Sequence, residues 1–390
     1  SSNLLERLNM AVALYLQQKV AATQEAAPDI ATIWNDLDSQ YSRRLWHQLT
    51  LTLLKFVHND CFAKGGLVEL YENVIRDIED RINPLSLVTL VNVVKDEIED
   101  FGAALAFIEP LGPKIAYDTA ASISLKTTVA YLNTHLGNLG DAKKVLDECE
   151  TQLDDLLGVT PVHANYYRVA AELHKIEGRF ADFYRTALRY LGCIELTDLQ
   201  ESEAVELAHD LCLAALLGEG IYNMGELLSH GIISFLTESS KEWLVELVKV
   251  FNSGDVAKFT EMKKIFPQES RDLEMADELL VEKVQLLAIM EAVFQRQAKE
   301  RAITFSELAA ATQVPEDQVE VLVMRALSLG LVKGSLDQIE ATATFTWVQP
   351  RVLDLKQLGD MHARLGVWLE HVDQTSELLT TSAPELFASA

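Results

Sequence analysis

Apolar residues recur at steps of three and four along most of this chain, and strand-like alternation is scarce before residue 303. That period belongs to helices that bury one stripe. Leu45, Leu49, Leu53 and Phe56 keep it through 44–57. Asn83-Pro84 reads as a turn before a buried helix over 85–94. An apolar helix over 243–251 stops at Asn252-Ser253-Gly254. A long helix over 273–294 places Leu273, Ala276, Leu280, Val284, Leu287 and Phe294 on one face and leads into the next module. The short apolar stretch 10–16 follows Glu6 and Arg7, which suits an amphipathic helix better than a signal peptide. Residues 24–30 form the expected early linker.

A loose repeat runs beneath this pattern. Gly102, Gly140, Gly178, Gly220 and Gly254 each precede an apolar helix face, at separations of 38, 38, 42 and 34. Helix-pair repeats have periods of this size, because each pair buries its face by stacking on its neighbours. An ordinary helical domain with glycine C-caps has the same glycines, and the stack is the expected arrangement. The fold class is mainly α.

The period changes over 303–350. A β-branched and aromatic run at 303–305 precedes Ser306, a candidate cap for a helix through Ala311. Val314-Pro315 breaks that helix. Glu316 and Asp317 then open a second helix, with Val319, Leu322, Val323, Ala326 and Leu327 at helical spacing and Gly330 at its end. Residues 331–336 and 341–347 would pair as a hairpin. Ala341, Ala343, Phe345 and Trp347 alternate with Thr342, Thr344 and Thr346. Strand, helix, helix and hairpin in this order make a winged helix. A last helix over 353–379 carries Leu358, Met361, Leu365, Trp368, Val372, Thr375 and Leu379 as a heptad seam. Gly359 and Gly366 weaken it by up to roughly 1 kcal/mol each. The seam suits either folding back on its own body or joining a bundle of several chains.

Charge narrows the partner. Residues 301–350 hold three basic residues (Arg301, Arg325, Lys333) and six acidic ones (Glu307, Glu316, Asp317, Glu320, Asp337, Glu340). Duplex binding draws its affinity from Lys and Arg on phosphates. An acidic second helix repels them, so this winged helix is expected to bind protein. The whole chain carries a formal net charge of −26 over 390 residues. That balance argues against nucleic acid or an anionic membrane as the main partner. The length suggests about two or three domains. No apolar run approaches the roughly 20 residues of a membrane-spanning helix.

The chemistry-bearing residues are scattered. Cys61, Cys149, Cys193 and Cys212 stand far apart and read as reduced thiols. No phosphate-binding glycine loop, nucleophile elbow or zinc spacing occurs. Gly218-Glu219-Gly220 reads as a turn, His47 as a packing or capping residue on a helix, and Asp154-Asp155 as solvated surface. His209 and Asp210 are expected to project apart. No catalytic, cofactor-binding or metal-ligating residue is assigned, and no enzyme activity is expected.

Helical repeats running into a winged helix and a terminal helix resemble the PCI family. These are scaffold subunits of the proteasome lid, the COP9 signalosome and a translation initiation factor. The segments LWHQLT (45–50), LYEN (70–73), NPLSLV (83–88), LLGEGIYNMGELL (216–228), FNSG (251–254), LVMRALSLGLVKGS (322–335) and TWVQPRVL (346–353) look like a lid subunit. The similarity runs from about 34 to about 370. The resemblance implies a right-handed stack of TPR-like helix pairs over 34–270, a PCI winged-helix module over 271–350, and a C-terminal bundle helix and tail over 351–390. Residues 1–33 stay unassigned.

It further implies a non-catalytic scaffold, a hetero-oligomer in cytoplasm and nucleus that supports ubiquitin-dependent protein degradation. Its partners would be other lid PCI subunits, with contacts to a ubiquitin receptor and the core particle. A related scaffold in the signalosome or the initiation factor is the nearest alternative. A nucleic-acid-binding winged helix and a hydrolase built from scattered residues lie further off. The implied winged-helix interface is Leu331, Val332, Lys333, Ala341, Ala343, Phe345 and Trp347. The expected device is strand addition along the outer edge of 341–347. The implied bundle face is Leu358, Met361, Leu365, Trp368 and Val372.

Overall fold

The computed structural model describes residues 2–23, 28–57, 66–156, 158, 160–237, 241–264, 271–296, 301–352 and 355–382. They form two compact units: 1–179 with 185–194, and 180–184 with 195–390. This division lies inside the stretch expected to form one arm over 34–270.

In the first unit, helix Ser2–Thr23 packs on Pro28–Ser42, so residues assigned no role belong to the body. Tyr15 meets Trp34 edge-on at 6.3 Å, and Trp34 meets Phe56 at 4.9 Å. Such aromatic pairs add roughly 0.5–1.5 kcal/mol each beyond the area they bury. Leu16, Leu37, Leu49, Leu53 and Phe56 complete this core, while Leu45 is partly exposed. The helix carrying the last three starts at Trp46, because Arg44 takes a left-handed φ of 58°. Of the expected linker, 24–27 lies outside the described residues, and Pro28 to Ile30 already begin a helix.

Asn83 caps helix Pro84–Asp96, its Oδ1 accepting from the Leu85 and Ser86 amides. Helices Thr119–His135 and Leu139–Asp154 pair, and Pro161–Ile176 stacks on the first of them. The glycine markers need correction. Gly102 and Gly140 sit in the first turns of helices, not between them. In this region the left-handed glycines are Gly137, Gly158, Gly178, Gly220 and Gly254.

The second unit is built around helix Asp277–Gln295. Helices Glu201–Leu217, Glu242–Ser253 and Val256–Met262 pack on it, and so do the helices and central strand of the winged helix. The expected single helix over 273–294 is two, Arg271–Met275 and Asp277–Gln295, with the break at Ala276. The second is buried nearly all round, since Leu286, Ile289 and Met290 join Leu280, Val284 and Leu287 in the core. Gly254 lies so close that a Cβ there would stand 2.7 Å from the Ala288 Cα.

The winged helix follows. Strands β1 (Ala302–Thr304), β2 (Val332–Asp337) and β3 (Thr342–Val348) form an antiparallel sheet in the order β1-β3-β2. Helices Phe305–Thr312 and Glu316–Ser328 stand between β1 and β2. The first helix is capped by Thr304 and not by Ser306. Thr304 Oγ1 accepts from the Glu307 amide and Glu307 Oε2 accepts from the Thr304 amide, a reciprocal capping box. The second helix ends as expected. Gly330 turns left-handed, its amide donating to the Leu327 carbonyl and the Leu331 amide to that of Ala326.

Candidate interaction surface

The expected edge is not an edge. Strand β3 is central, paired with β1 through Ala302↔Thr344, Ile303↔Ala343 and Thr304↔Thr342, and with β2 on its other side. The Phe345 amide donates to the Arg301 carbonyl, and the Phe305 amide to that of Ala341. The strand missed in the sequence reading as a partner is β1, which is short and gives little pattern. Among the described residues, the open edges of the sheet are β1 and β2. Residues 331, 333, 335 and 337 face β3, as the Gln349 amide donating to the Leu331 carbonyl fixes the phase. The alternation of an antiparallel ladder then turns the backbone groups of Val332, Gly334 and Leu336 outward.

A bulge explains a second departure. The pairing runs Gly334↔Phe345 and then Lys333↔Trp347, leaving Thr346 without an opposite residue. Gly334 fits there because a Cβ would lie 2.2 Å from the Thr344 carbonyl oxygen. The slip breaks the alternation. Ala343 and Phe345 are core, whereas Trp347 is 36% exposed with the Lys333 ammonium 5.0 Å from its ring centre. Leu331 and Val332 are also core, and Ala341 is half-buried. Of the residues expected at this interface, Lys333 and Trp347 therefore face outward, while Leu331, Val332, Ala343 and Phe345 hold the sheet to its helices.

The terminal helix spans Leu355–Ser382. Leu358, Met361, Leu365, Trp368 and Val372 all lie exposed on it, with Trp368 63% open to solvent. The neighbouring Val367 and Leu369 are exposed too, so the apolar band is wider than a strict seam. Arg364 donates to the Gln295 carbonyl at 3.4 Å.

The chain is tied down just before this helix. Arg351 is nearly fully buried, pairs with Glu291, donates to the Asn252 carbonyl at 3.1 Å and lies over the Phe294 ring at 5.4 Å. The Val352 amide donates to Asn223 Oδ1 at 3.1 Å. The Val352 carbonyl and side chain cover Gly225, where a Cβ would stand 2.6 Å from the carbonyl oxygen.

The other buried polar groups hold structure together. Lys283 donates to the carbonyls of Ala215, Leu216 and Gly218 at 2.7, 3.0 and 2.8 Å. It thereby caps the end of helix Glu201–Leu217, where the dipole favours a cation. Burial pushes its ammonium down to about 7. Glu79 is buried between the Tyr71 hydroxyl, at 2.5 Å, and Lys114. Cys149, Cys193 and Cys212 are free, and burial raises the first to about 11 and the third to about 12, which keeps them protonated at neutral pH. Cys61 lies outside the described residues. His47 is exposed on its helix. His209 does reach its neighbour, with Nδ1 3.5 Å from Asp210 Oδ1. Among the described residues no group of three His, Cys, Asp or Glu side chains gathers to hold a metal ion, and no helix is long and apolar enough to cross a membrane.

Comparisons with known proteins agree with this architecture. Residues 33–248 match the PSD13 N-terminal repeats and residues 265–347 match the PCI domain. The 26S proteasome non-ATPase regulatory subunit 13 homolog B of Arabidopsis thaliana is 34% identical over 391 residues, covering 97% of this chain and all of that protein. The 26S proteasome regulatory subunit RPN9 of Saccharomyces cerevisiae is 32% identical over 90% of this chain and 92% of its own length. The eukaryotic translation initiation factor 3 subunit M of Dictyostelium discoideum is 21% identical over 83% of this chain and 82% of its own length. Repeats, winged helix and near-full-length identity converge, and the chain belongs to the PCI-domain family of 26S proteasome non-ATPase regulatory subunit 13.

Proposed function

We propose that this chain is a non-catalytic structural subunit of the proteasome regulatory particle lid, working in ubiquitin-dependent protein degradation. The observation that carries this reading is the helix Leu355–Ser382, whose apolar band has no cover among the described residues. Monomers seldom leave such a band open, and a long helix with a heptad seam is stabilised by burying it against other helices. The open β2 edge adds a second docking device, through backbone groups that invite strand addition. Other PCI subunits of the lid are the proposed partners at both places. Contacts to a ubiquitin receptor and the core particle, and residence in cytoplasm and nucleus, belong to the same proposal. The buried Lys283, Glu79 and Arg351 serve packing, which supports a role without chemistry.

The test removes the terminal helix. A chain ending at Val352 should keep its far-UV circular dichroism per residue in the remaining body and fail to co-purify with the lid. Normal incorporation of that truncated chain overturns the reading. Mass spectrometry of the native complex separates a lid from the related initiation factor, whose subunit M shares the lower identity.

A further inference from the structure

The winged helix carries another exposed apolar surface, on its second helix and on the turn between β2 and β3. On helix Glu316–Ser328, Val319, Val323 and Ala326 face the core, and Val321 and Met324 face outward, Val321 being 62% exposed. In the β2–β3 turn Ile339 is 94% exposed. That exposure is built rather than accidental. Asp337 Oδ1 accepts from the amides of Ile339 and Glu340 at 3.0 and 3.1 Å, fixing the turn. Gln338 Nε2 donates to Glu320 Oε2 at 3.2 Å, which ties the turn carrying Ile339 to the helix carrying Val321 and Met324.

The rim of this face is acidic. Glu316 and Asp317 open the helix, and Glu320 and Glu340 flank the apolar residues. The one cation of this helix, Arg325, is already paired with Glu282 at 2.9 Å. An apolar centre inside a charged rim is the layout of a protein interface. A second copy of this chain would bring the same carboxylates to the same place and be repelled, and a phosphate backbone would be repelled likewise.

We propose that Val321, Met324 and Ile339 form a docking face for a segment of a different protein, one whose apolar side chains are flanked by Lys and Arg. The winged helix thus uses the surface that reads DNA in other proteins, with its charge inverted. This rests on the reading of the chain as a subunit of a larger assembly, and the experiment separates the two.

The full-length chain is expressed in cells with the photo-crosslinker benzoylphenylalanine at Ile339, or at Trp368 on the terminal helix as a control, and the native complex is irradiated and digested. The Ile339 probe should join a peptide of another subunit in which Lys and Arg outnumber Asp and Glu. Adding E316K and D317K, which leave the Gln338–Glu320 bond in place, should cut that product at least roughly tenfold through like-charge repulsion and leave the Trp368 product unchanged. A Trp368 product without an Ile339 product overturns the docking face alone. So does an Ile339 product with an acidic segment or with another copy of the chain. Absence of both products overturns the assembly reading together with it.

Discussion

The carbonyl of Val352 occupies the space that a side chain on Gly225 would need. Helix Met224–Ser229 and the start of the tail are thus pressed together backbone to backbone, with Asn223 Oδ1 accepting from the Val352 amide alongside. Gly225→Val should push the tail off this seat and lower stability by about 1–3 kcal/mol, the usual range for overpacking. Hydrogen exchange at Val352 should quicken, and trypsin should cut sooner at Arg351.

The same seat depends on charge. Arg351 and Glu291 pair with side-chain exposures of 4% and 15%. Removing one partner strands the other charge away from water, so Arg351→Ala should cost about 3–5 kcal/mol in urea unfolding. Arg351→Met with Glu291→Leu should recover much of that loss, because an apolar pair strands nothing. A double variant as unstable as the single would mean that the Asn252 and Phe294 contacts dominate.

Lys283 makes a pH prediction. Lys283→Met leaves three carbonyls at a helix end without donors and should cost about 3 kcal/mol at pH 7. The folded chain releases this proton near pH 7, against an ordinary lysine value of 10.5. Between those values unfolding takes up a proton, so the lysine's contribution rises with pH; below 7 both states carry the proton and the slope vanishes. The stability gap between wild type and Lys283→Met should therefore widen from pH 7 to pH 9, by up to about 2.7 kcal/mol. A gap that stays flat in that window would mean that the carbonyls hold the proton against burial.

The open side of the sheet can be tested with proline. The Leu336 backbone N–H points away from β3, so Leu336→Pro removes an outward donor and leaves the Asp337 and Ser335 rungs in place. Incorporation into the lid should fall while the melting temperature moves by a few degrees at most. The mirror substitution Ser335→Pro breaks an internal rung and should lower the melting temperature more.

Much of this was legible in the residues, and the exceptions have physical causes. The helices over 46–57, 84–96, 242–253 and 316–328 could be read because capping, proline and glycine signals agree with a 3.6-residue period. Strand β1 was seen as a run but not as a partner, since pairing between segments some forty residues apart leaves no local mark. That omission put β3 at the edge. The bulge at Thr346 is likewise invisible to alternation: Trp347 fits the apolar phase in the sequence and lies outside it in the fold. At the terminal helix, the heptad seam was legible, and the choice between covering it and leaving it open was not. Val321, Met324 and Ile339 carry no motif, and only the fold, through the Gln338–Glu320 bond, ties the turn of the last to the helix of the first two.

The uncovered band on Leu355–Ser382 also bears on how much of this chain a cell can hold. Among the described residues nothing lies over that ribbon, so a copy made in excess of its companions can pair it with the ribbon of another orphan. Synthesis matched to the rest of the assembly, or prompt removal of the surplus, then becomes a solubility requirement written into this one helix.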